Sequence, residues 1–453
     1  MITRDFFTRY SSRADRRNSI DPLLHKRYNT KRGLRNDDGT GVLIGLTEIG
    51  EVHGYVIDDQ ERVPDHGQLW YRGLSVNDLV RGFQNEGRFG FAETAYLLLF
   101  GELPTVEEHA AFCEVIGTLR RLPDGFTEDM ILQAPSNDIM NKLARSVLAA
   151  YSYDENPEEL SVHNVTRQLV ELIARFPTMV AYGYQALRHY YHGESLYIHS
   201  PSERLSTAEN LLAMIRPDQT YTPLEAETLD LALVLHAEHG GGNNSAFTIH
   251  VVSSAATDTY SAVSAAVGSL KGAKHGGAAA RVRAMMTDIK EHVSDWSSDA
   301  EVAAYLTKIL RKEAFDRSGL IYGVGHAVYT LSDPRALLLQ EKARDLAVES
   351  AHEEEFDLYQ RVAALAPTVF QAVKETDRVI APNVDFYSGF VYSMLGIPEE
   401  LYTPIFAIAR ITGWAAHRLE ELVSGGRIIR PAYKNVVRHR AYIPIQDRRS
   451  DEE

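Results

Sequence analysis

The sequence has a single cysteine and fewer basic than acidic residues. Its 453 residues include 47 Lys and Arg against 62 Asp and Glu, which gives a formal net charge of -15. Because nucleic acid and anionic membranes repel an acidic protein, we exclude non-specific binding to either. The lone Cys113 excludes an internal disulfide and any cysteine-based zinc site, which fits a reducing compartment. We interpret it as a small apolar core residue.

Long apolar runs are also lacking. No stretch reaches the roughly 20 apolar residues that span a bilayer, and no signal peptide opens the chain. We therefore expect a soluble, cytoplasmic protein. Residues 1–36 carry ten Lys and Arg against three Asp, and we interpret them as a basic surface extension rather than a transit peptide. The motifs GxSxG and GxxxxGK(S/T) are absent, so serine hydrolases and P-loop enzymes are excluded.

Helical periodicity dominates what is present. A hydrophobic fraction of 44% with 24% charged residues is typical of a globular protein, and the length favours two domains. Glycine and β-forming residues between Gly41 and Gly73 predict a small antiparallel sheet. The rest predicts a mostly α protein. The predicted helices cover 91–100, 106–119, 165–175, 207–215, 224–236, 260–270 and 278–292.

Two further helices carry an arginine in an unusual place. Asp333 and Pro334 mark the start of a helix through Ser350, which puts Arg335 in the first turn, where the helix dipole disfavours a cation. Arg335 is either an exposed side chain of little cost or one held to meet an anion, and its position leaves both interpretations open.

The second of these helices begins with Thr403 as its cap, has proline at its first position and ends at Ser424. Residues 405–416 are apolar almost all round, which predicts a buried helix. Arg410 is the exception, and a buried guanidinium costs several kcal/mol unless a carboxylate pairs with it. A structural ion pair is the more common source of that carboxylate, and a ligand is the other.

Three histidines in glycine-rich segments, followed by an aspartate, are the strongest signal of function. They are His239, His275 and His326, with Asp385 further along the chain. Glycine lets the backbone approach a ligand and imidazole transfers protons near neutral pH, so the pattern predicts acid/base chemistry on a small polar substrate. At a helix N-terminus, His275 would stay neutral and donate to an oxyanion, or simply pack in a loop. Asp385 is either an N-cap or an ionised base.

A metal site is the weaker interpretation of the first segment. His236, Glu238 and His239 have a spacing that metal ligands use. The 240–242 glycines end the helix at once, however, and no HExxH motif or cysteine partner accompanies them. We therefore expect no metal.

Taken in order, these segments resemble the citrate synthase family, from about Gly41, through the Leu69–Gly73 segment, to Arg430. The resemblance implies a mostly α, citrate synthase-like two-domain helical fold with a small N-terminal antiparallel β element. It also implies a homodimer with an active site between the domains of each subunit. The implied parts are a large domain over 37–275 and 391–453, a small domain over 276–390, and the extension over 1–36.

The resemblance further implies the reaction and a role for each site residue. Acetyl-CoA and oxaloacetate would give citrate and free CoA, a step of the tricarboxylic acid cycle, with the thioester as substrate and no cofactor. His275 would stabilise the enol of acetyl-CoA, His326 would polarise the ketone and Asp385 would remove the methyl proton. The implied oxaloacetate ligands are His239, Asn243, Arg335 and Arg410, together with Arg430 from the partner subunit.

Two departures and two alternatives accompany this interpretation. Ala279 replaces the asparagine of the HGGAN motif form, and Thr330 stands where family members often carry a basic residue. Both are expected to weaken acyl-CoA binding more than catalysis. The alternatives are a 2-methylcitrate synthase that uses propionyl-CoA, since one methylene changes binding by only about 1–3 kcal/mol, and a non-catalytic dicarboxylate-binding homologue. A metal-dependent lyase is more distant.

Overall fold

A computed structural model describes residues 11, 13–15, 17–36, 39–58, 61–424 and 426–448. The first ten residues of the predicted basic extension lie outside this part. The described remainder of the extension is mostly exposed and contains α1 (Pro22–Arg27). A three-stranded antiparallel sheet follows, as the sequence predicts, with β1 (Gly50–Asp58) paired to β2 (Glu61–Tyr71) and β2 to β3 (Leu74–Ser75).

Helices make up most of the described chain after the sheet, so the prediction of a mostly α fold is confirmed. The α-helices are α2 (Val76–Asn85), α3 (Phe91–Phe100), α4 (Val106–Leu119), α5 (Ile139–Ala150), α6 (Val162–His192), α7 (Thr207–Ile215), α8 (Pro223–His236), α9 (Asn244–Ser253), α10 (Thr259–Lys271), α11 (Ala278–His292), α12 (Asp299–Leu310), α13 (Pro334–Glu349), α14 (Glu353–Lys374), α15 (Val384–Met394) and α16 (Tyr402–Val423). None of the helices in the described part is long and apolar enough to cross a membrane.

Three predictions about local structure need correction. The helix predicted over 165–175 continues to His192, because α6 accommodates the buried Pro177 in its interior. Helix α16 is not capped by Thr403, since the residue before the helix is Leu401 and the Thr403 hydroxyl donates to the carbonyl of Gly276, 2.8 Å away. Cys113 is a free thiol that is half-buried on α4 rather than fully in the core.

Helix α16 is buried along most of its length and organises the core. It packs against α3, α6, α8 and α9, and its buried apolar residues include Trp414 and Ile408. Two arginines of this helix are buried as well. Arg418 donates to the Thr259 and Ser253 hydroxyls and to the carbonyl of Thr257, so its polar groups are satisfied by the protein. The other arginine, Arg410, faces the candidate active site.

The β1–β2 hairpin supports the segment that follows His326. A Cβ on Gly54 would lie 2.7 Å from the Cα of Tyr329, and one on Gly67 would lie 2.1 Å from the Ser332 carbonyl oxygen, so only glycine allows this approach. The Thr330 hydroxyl donates to the carbonyl oxygens of Gly54 and Asp65. Thr330 therefore fastens the hairpin to this segment.

Candidate active site

Backbone pairing joins two distant segments, one that carries His326 and one that carries Asp385. The amide of Gly325 donates to the carbonyl of Ala381 at 2.8 Å, and the amide of Asn383 donates to the carbonyl of Gly323 at 2.8 Å. Gly323 has a φ of 75°, and a Cβ there would lie 2.9 Å from the Cα of Phe386. A larger residue would separate the two segments, so the glycine serves a close approach of backbones.

Three of the aromatic rings form the centre of the site. The rings of His239 and His326 lie 5.1 Å apart between centroids at an angle of 81°. Tyr329 stacks on His326 with a centroid distance of 4.7 Å, and its buried hydroxyl has no hydrogen-bond partner in the described chain. Burial, strengthened by the guanidinium of Arg335, holds the pKa of His239 well below its ordinary value. His239 is therefore a neutral ring, and its buried Nε2 likewise lacks a partner among the described residues.

The tautomer of His326 is fixed by the backbone. Its Nδ1 accepts from the amides of Val328, at 3.1 Å, and Tyr329, at 3.2 Å. Because Nδ1 is an acceptor, the neutral ring carries its proton on Nε2. Burial, with a smaller contribution from Arg335, lowers the pKa of His326 to about 4. His326 is thus a neutral hydrogen-bond donor at physiological pH.

His275 lies just before α11, at a helix N-terminus as predicted. Its Nε2 is 3.1 Å from Asn243 Oδ1 and 3.2 Å from Ser245 Oγ. Burial, with a contribution from Arg410, lowers the pKa of His275 to about 4. The ring is therefore neutral, as the sequence indicates, but burial rather than the helix dipole is the largest cause. Trp414 Nε1 donates to the same Ser245 hydroxyl at 3.0 Å and holds it in place.

Other residues of the protein use the side-chain oxygen of Asn243 as a hydrogen-bond acceptor. Asn243 caps α9, and its Oδ1 accepts from the Ser245 amide and hydroxyl in addition to lying beside His275. Its side chain thus positions His275, while oxaloacetate binding through its amide nitrogen stays a prediction.

Arg335 is buried rather than exposed, which rules out the interpretation of a solvated arginine of little cost. Its Nε and Nη2 donate to the two carboxylate oxygens of Asp333 at 3.1 and 2.8 Å. Burial opposes the charge of Arg335, but Asp333 outweighs it and raises the pKa of the guanidinium. Asp333 also caps α13, as predicted, and accepts from the Val384 amide at 3.1 Å. Asp333 therefore joins the start of α13 to the start of α15, a role that the sequence did not reveal.

Arg410 has no such carboxylate. Its Nε donates to the carbonyl of His236 at 2.7 Å, whereas Nη1 and Nη2 are buried without a hydrogen-bond partner in the described chain. Its guanidinium lies 4.7 Å from the centre of the Phe406 ring. Burial lowers the pKa of Arg410 to about 10, which leaves it charged at neutral pH. Within the described residues, the prediction of a structural ion pair for Arg410 is therefore wrong. A ligand remains as the source of the carboxylate.

Asp385 is not the N-cap of its helix. Asn383 takes that place and accepts from the Asp385 amide at 3.0 Å, so Asp385 occupies the first turn of α15. Burial raises the pKa of Asp385 to about 6, although Arg335 opposes the shift. The carboxylate is thus ionised at neutral pH, yet it is more basic than an ordinary aspartate.

Arg430 lies outside this cluster. It is exposed in the segment 426–448, and it makes no hydrogen bond or ion pair within the described residues. The suggested metal triad does not form in the part of the chain that is described. Of its members His236, Glu238 and His239, Glu238 instead contacts His417, with 3.0 Å between Oε1 and Nε2. Buried His236, whose Nδ1 lacks a partner among the described residues, stacks on Phe406 beside Arg410, whereas the sequence suggests it only as a metal ligand.

The two departures from the family pattern have structural explanations. Ala279 is buried at the start of α11, where its carbonyl would lie 2.8 Å from a Cβ on Gly389 of α15, so it belongs to a tight helix contact. Thr330 binds the β-hairpin, as described above.

The chain matches known proteins over most of its length. The family model described as citrate synthase, C-terminal domain, matches residues 38–432. A citrate synthase of Haloferax volcanii is 36% identical over 405 residues, covering 88% of this chain and 94% of that protein. A 2-methylcitrate synthase of Corynebacterium glutamicum is 32% identical over 417 residues, covering 90% and 97%. The ternary complex of Thermoplasma acidophilum citrate synthase with carboxymethyl coenzyme A and oxaloacetate has a TM-score of 0.72 at 25% identity, covering 92% and 99%.

Proposed function

The chain belongs to the citrate synthase family and is an acyltransferase of that family, and we propose that it condenses acetyl-CoA with oxaloacetate to give citrate and free CoA. The observation that carries the substrate assignment is the buried Arg410 guanidinium, whose two Nη groups have no partner among the described residues. A carboxylate of oxaloacetate would satisfy both in a bidentate pair. The ligands of the Thermoplasma acidophilum complex support the same pair of substrates.

The neutral histidines suit the ketone of oxaloacetate. In the proposed complex, His326 donates from Nε2 to the ketone oxygen and stabilises the negative charge that develops there during attack. His239 and Arg335 line the same space, and Tyr329 stacks on His326. A neutral donor is well suited to this task because it does not need to lose or gain charge when the substrate binds.

Asp385 and His275 would form the carbon nucleophile. Asp385 takes a proton from the methyl group of acetyl-CoA, and His275 donates to the thioester oxygen as the enol forms. This role requires the proton of His275 on Nδ1, so the Ser245 hydroxyl, which donates to Asn243 Oδ1 in the free protein, must turn to donate to Nε2 in the complex. The enol carbon then bonds to the ketone carbon, and water hydrolyses the resulting thioester to citrate and CoA. None of these steps needs a metal or a redox cofactor.

A cavity beside His326 offers room for the acyl-CoA arm. It has a volume of about 360 Å³ and walls that include Gly325, His326, Phe370 and Ile380, with Arg378 among them. Apolar walls suit the pantetheine chain of CoA, and the cationic Arg378 suits the CoA phosphates. We propose that the thioester reaches His275 and Asp385 from this side, and that closure of the proposed large and small domains excludes water from the enol.

A panel of acyl-CoA substrates tests the function and its alternatives. With oxaloacetate present, release of free thiol should be fastest with acetyl-CoA, and propionyl-CoA should have a lower kcat/KM. A ratio in favour of propionyl-CoA would establish the 2-methylcitrate synthase instead. Absence of thiol release with every donor, despite oxaloacetate binding measured by calorimetry, would establish the non-catalytic homologue.

We also propose a cytoplasmic homodimer in which Arg430 enters the partner's site. Two segments support this arrangement because they expose large apolar side chains, which a protein that functions as a monomer would be expected to bury. Leu46 is 91% exposed before the sheet, and Tyr433 is 94% and Tyr442 82% exposed after α16. A second copy of the chain would cover these side chains and place Arg430 near the remaining carboxylate of oxaloacetate.

Mixed dimers test this arrangement. The variants Asp385→Asn and Arg430→Ala should each have little activity, but a dimer containing one of each has one site with both native residues. Random reassortment of an equal mixture should therefore restore about a quarter of the wild-type activity. Dimers formed by each variant alone provide the baseline. If Arg430 served its own subunit, mixing would restore nothing.

A further inference from the structure

A second cluster of titratable side chains lies beneath the glycine turn that follows His239. It consists of His250 on α9 with His417 and Glu420 on α16, and we call it the inner triad. His250 Nε2 is 3.0 Å from His417 Nδ1, which is 3.7 Å from Glu420 Oε2. The three atoms all lie within 4.8 Å of one another. The proposed reaction uses none of them.

The outer nitrogens of both histidines contact carboxylates. His417 Nε2 lies 3.0 Å from Glu238 Oε1, in a fully buried pair, and His250 Nδ1 lies 3.0 Å from Glu421 Oε2. These carboxylates fix the two rings so that their inner nitrogens point toward a common space. Metal-binding histidines commonly have a carboxylate on the nitrogen that does not bind the metal, because it orients the ring and raises its basicity.

The third member also presents an unused atom to this space. Glu420 Oε1 accepts from the amide of Glu48 at 2.7 Å, whereas Oε2 is buried without a hydrogen-bond partner within the described residues. The two inner nitrogens can share only one hydrogen bond with each other. Within the described residues, Oε2 therefore has only the 3.7 Å ion contact with His417 Nδ1, and a cation would satisfy it.

We infer that the inner triad binds a divalent transition-metal ion of the zinc class. Zinc bonds of about 2.0–2.1 Å in a tetrahedral arrangement place ligand atoms about 3.3 Å apart. The separations of 3.0 and 3.7 Å lie on either side of that value. Two histidines and a glutamate are a ligand set that zinc uses, with water in the fourth position.

An entry path and a structural role accompany this site. Glu420 lines a cavity of about 660 Å³ together with Thr47 and Glu48, so an ion can reach the carboxylate from that side. A Cβ on Gly241 would lie 3.8 Å from His250 Nε2. The ion would thus join α9 to α16 directly below the turn between His239 and Asn243, where it would hold substrate-binding residues in place without entering the reaction.

Zinc binding to the purified full-length protein tests the site. After equilibrium dialysis against ZnCl₂ at pH 8, elemental analysis should find one ion per chain in the wild type. A pH above neutrality is chosen because protons and metal ions compete for the histidine nitrogens. Glu420→Gln and His250→Gln should each weaken binding at least about tenfold, and Glu421→Gln by roughly 10- to 100-fold.

Matched controls separate this site from other histidines. His292→Gln removes an exposed histidine beside Asp288 and should leave zinc affinity unchanged. Glu420→Gln keeps the oxygen that accepts from Glu48, so it should stay folded, which circular dichroism checks. Zinc should raise the melting temperature of the wild type but not of Glu420→Gln. Equal binding by wild type and both ligand variants, or no binding by the folded wild type, would overturn the assignment.

Discussion

Replacing Asp385 by asparagine should lower kcat by roughly 10²- to 10⁴-fold, which is the contribution of a positioned general base. Asparagine has nearly the same shape, but its amide cannot accept a proton from carbon. Because Arg410, His239 and His326 are unchanged, oxaloacetate should bind the variant almost as tightly as the wild type. Steady-state thiol release and calorimetric titration with oxaloacetate measure the two quantities separately.

The pH dependence of the wild type provides an independent check on the same residue. Burial raises the pKa of Asp385 to about 6, so the ionised base is lost as the pH falls through that value. Below it, kcat should fall about tenfold per pH unit. His275 and His326, each with a pKa of about 4, are not protonated in this window and cannot produce the same limb.

Two observations would contradict the assignment of Asp385 as the base. One is a variant with unchanged kcat, and the other is an acid limb near pH 6 that persists in the residual activity of the variant. Asp345→Asn, an exposed change on α13, is the control for the effect of removing one negative charge. It should leave both kcat and the pH profile unaltered.

The sequence predicts local features of the fold but not contacts between distant parts of the chain. Helix boundaries such as Phe91–Phe100 and Ala278–His292 follow from local periodicity and agree with the prediction. The pairing of Gly325 with Ala381 joins residues that are far apart in the chain. Each segment alone lacks a signal for this pairing, so the sequence indicates that His326 and Asp385 carry chemistry but not how their segments pair.

The two buried arginines illustrate the same limit. From the sequence, Arg335 is either an exposed side chain of little cost or one held to meet an anion, whereas Arg410 needs a carboxylate. Asp333, two residues before Arg335, supplies a carboxylate to that side chain, whereas Arg410 has none among the described residues. Local patterns locate a costly charge, and only three-dimensional contacts reveal whether the protein or a ligand compensates it.

The second large effect is expected from Arg410→Met, which should weaken oxaloacetate binding by at least about 100-fold while raising the melting temperature of the free protein. Loss of a bidentate charged contact costs on the order of 3 kcal/mol in affinity. Stability should change in the opposite direction, because methionine replaces a buried cation whose Nη groups lack partners with an apolar chain of similar length. Calorimetry and thermal melting measure both changes on one preparation.

Arg418→Met, two turns further along α16, is the matched control. Arg418 is equally buried, but the protein satisfies its guanidinium through Thr259, Ser253 and Thr257. Removing it leaves buried acceptors unpaired, so the melting temperature should fall, by the equivalent of about 1–3 kcal/mol, with little effect on oxaloacetate affinity. The two variants should therefore shift stability in opposite directions. If Arg410→Met instead destabilised the protein as Arg418→Met does and left affinity intact, Arg410 would be a structural residue and the substrate assignment would fail.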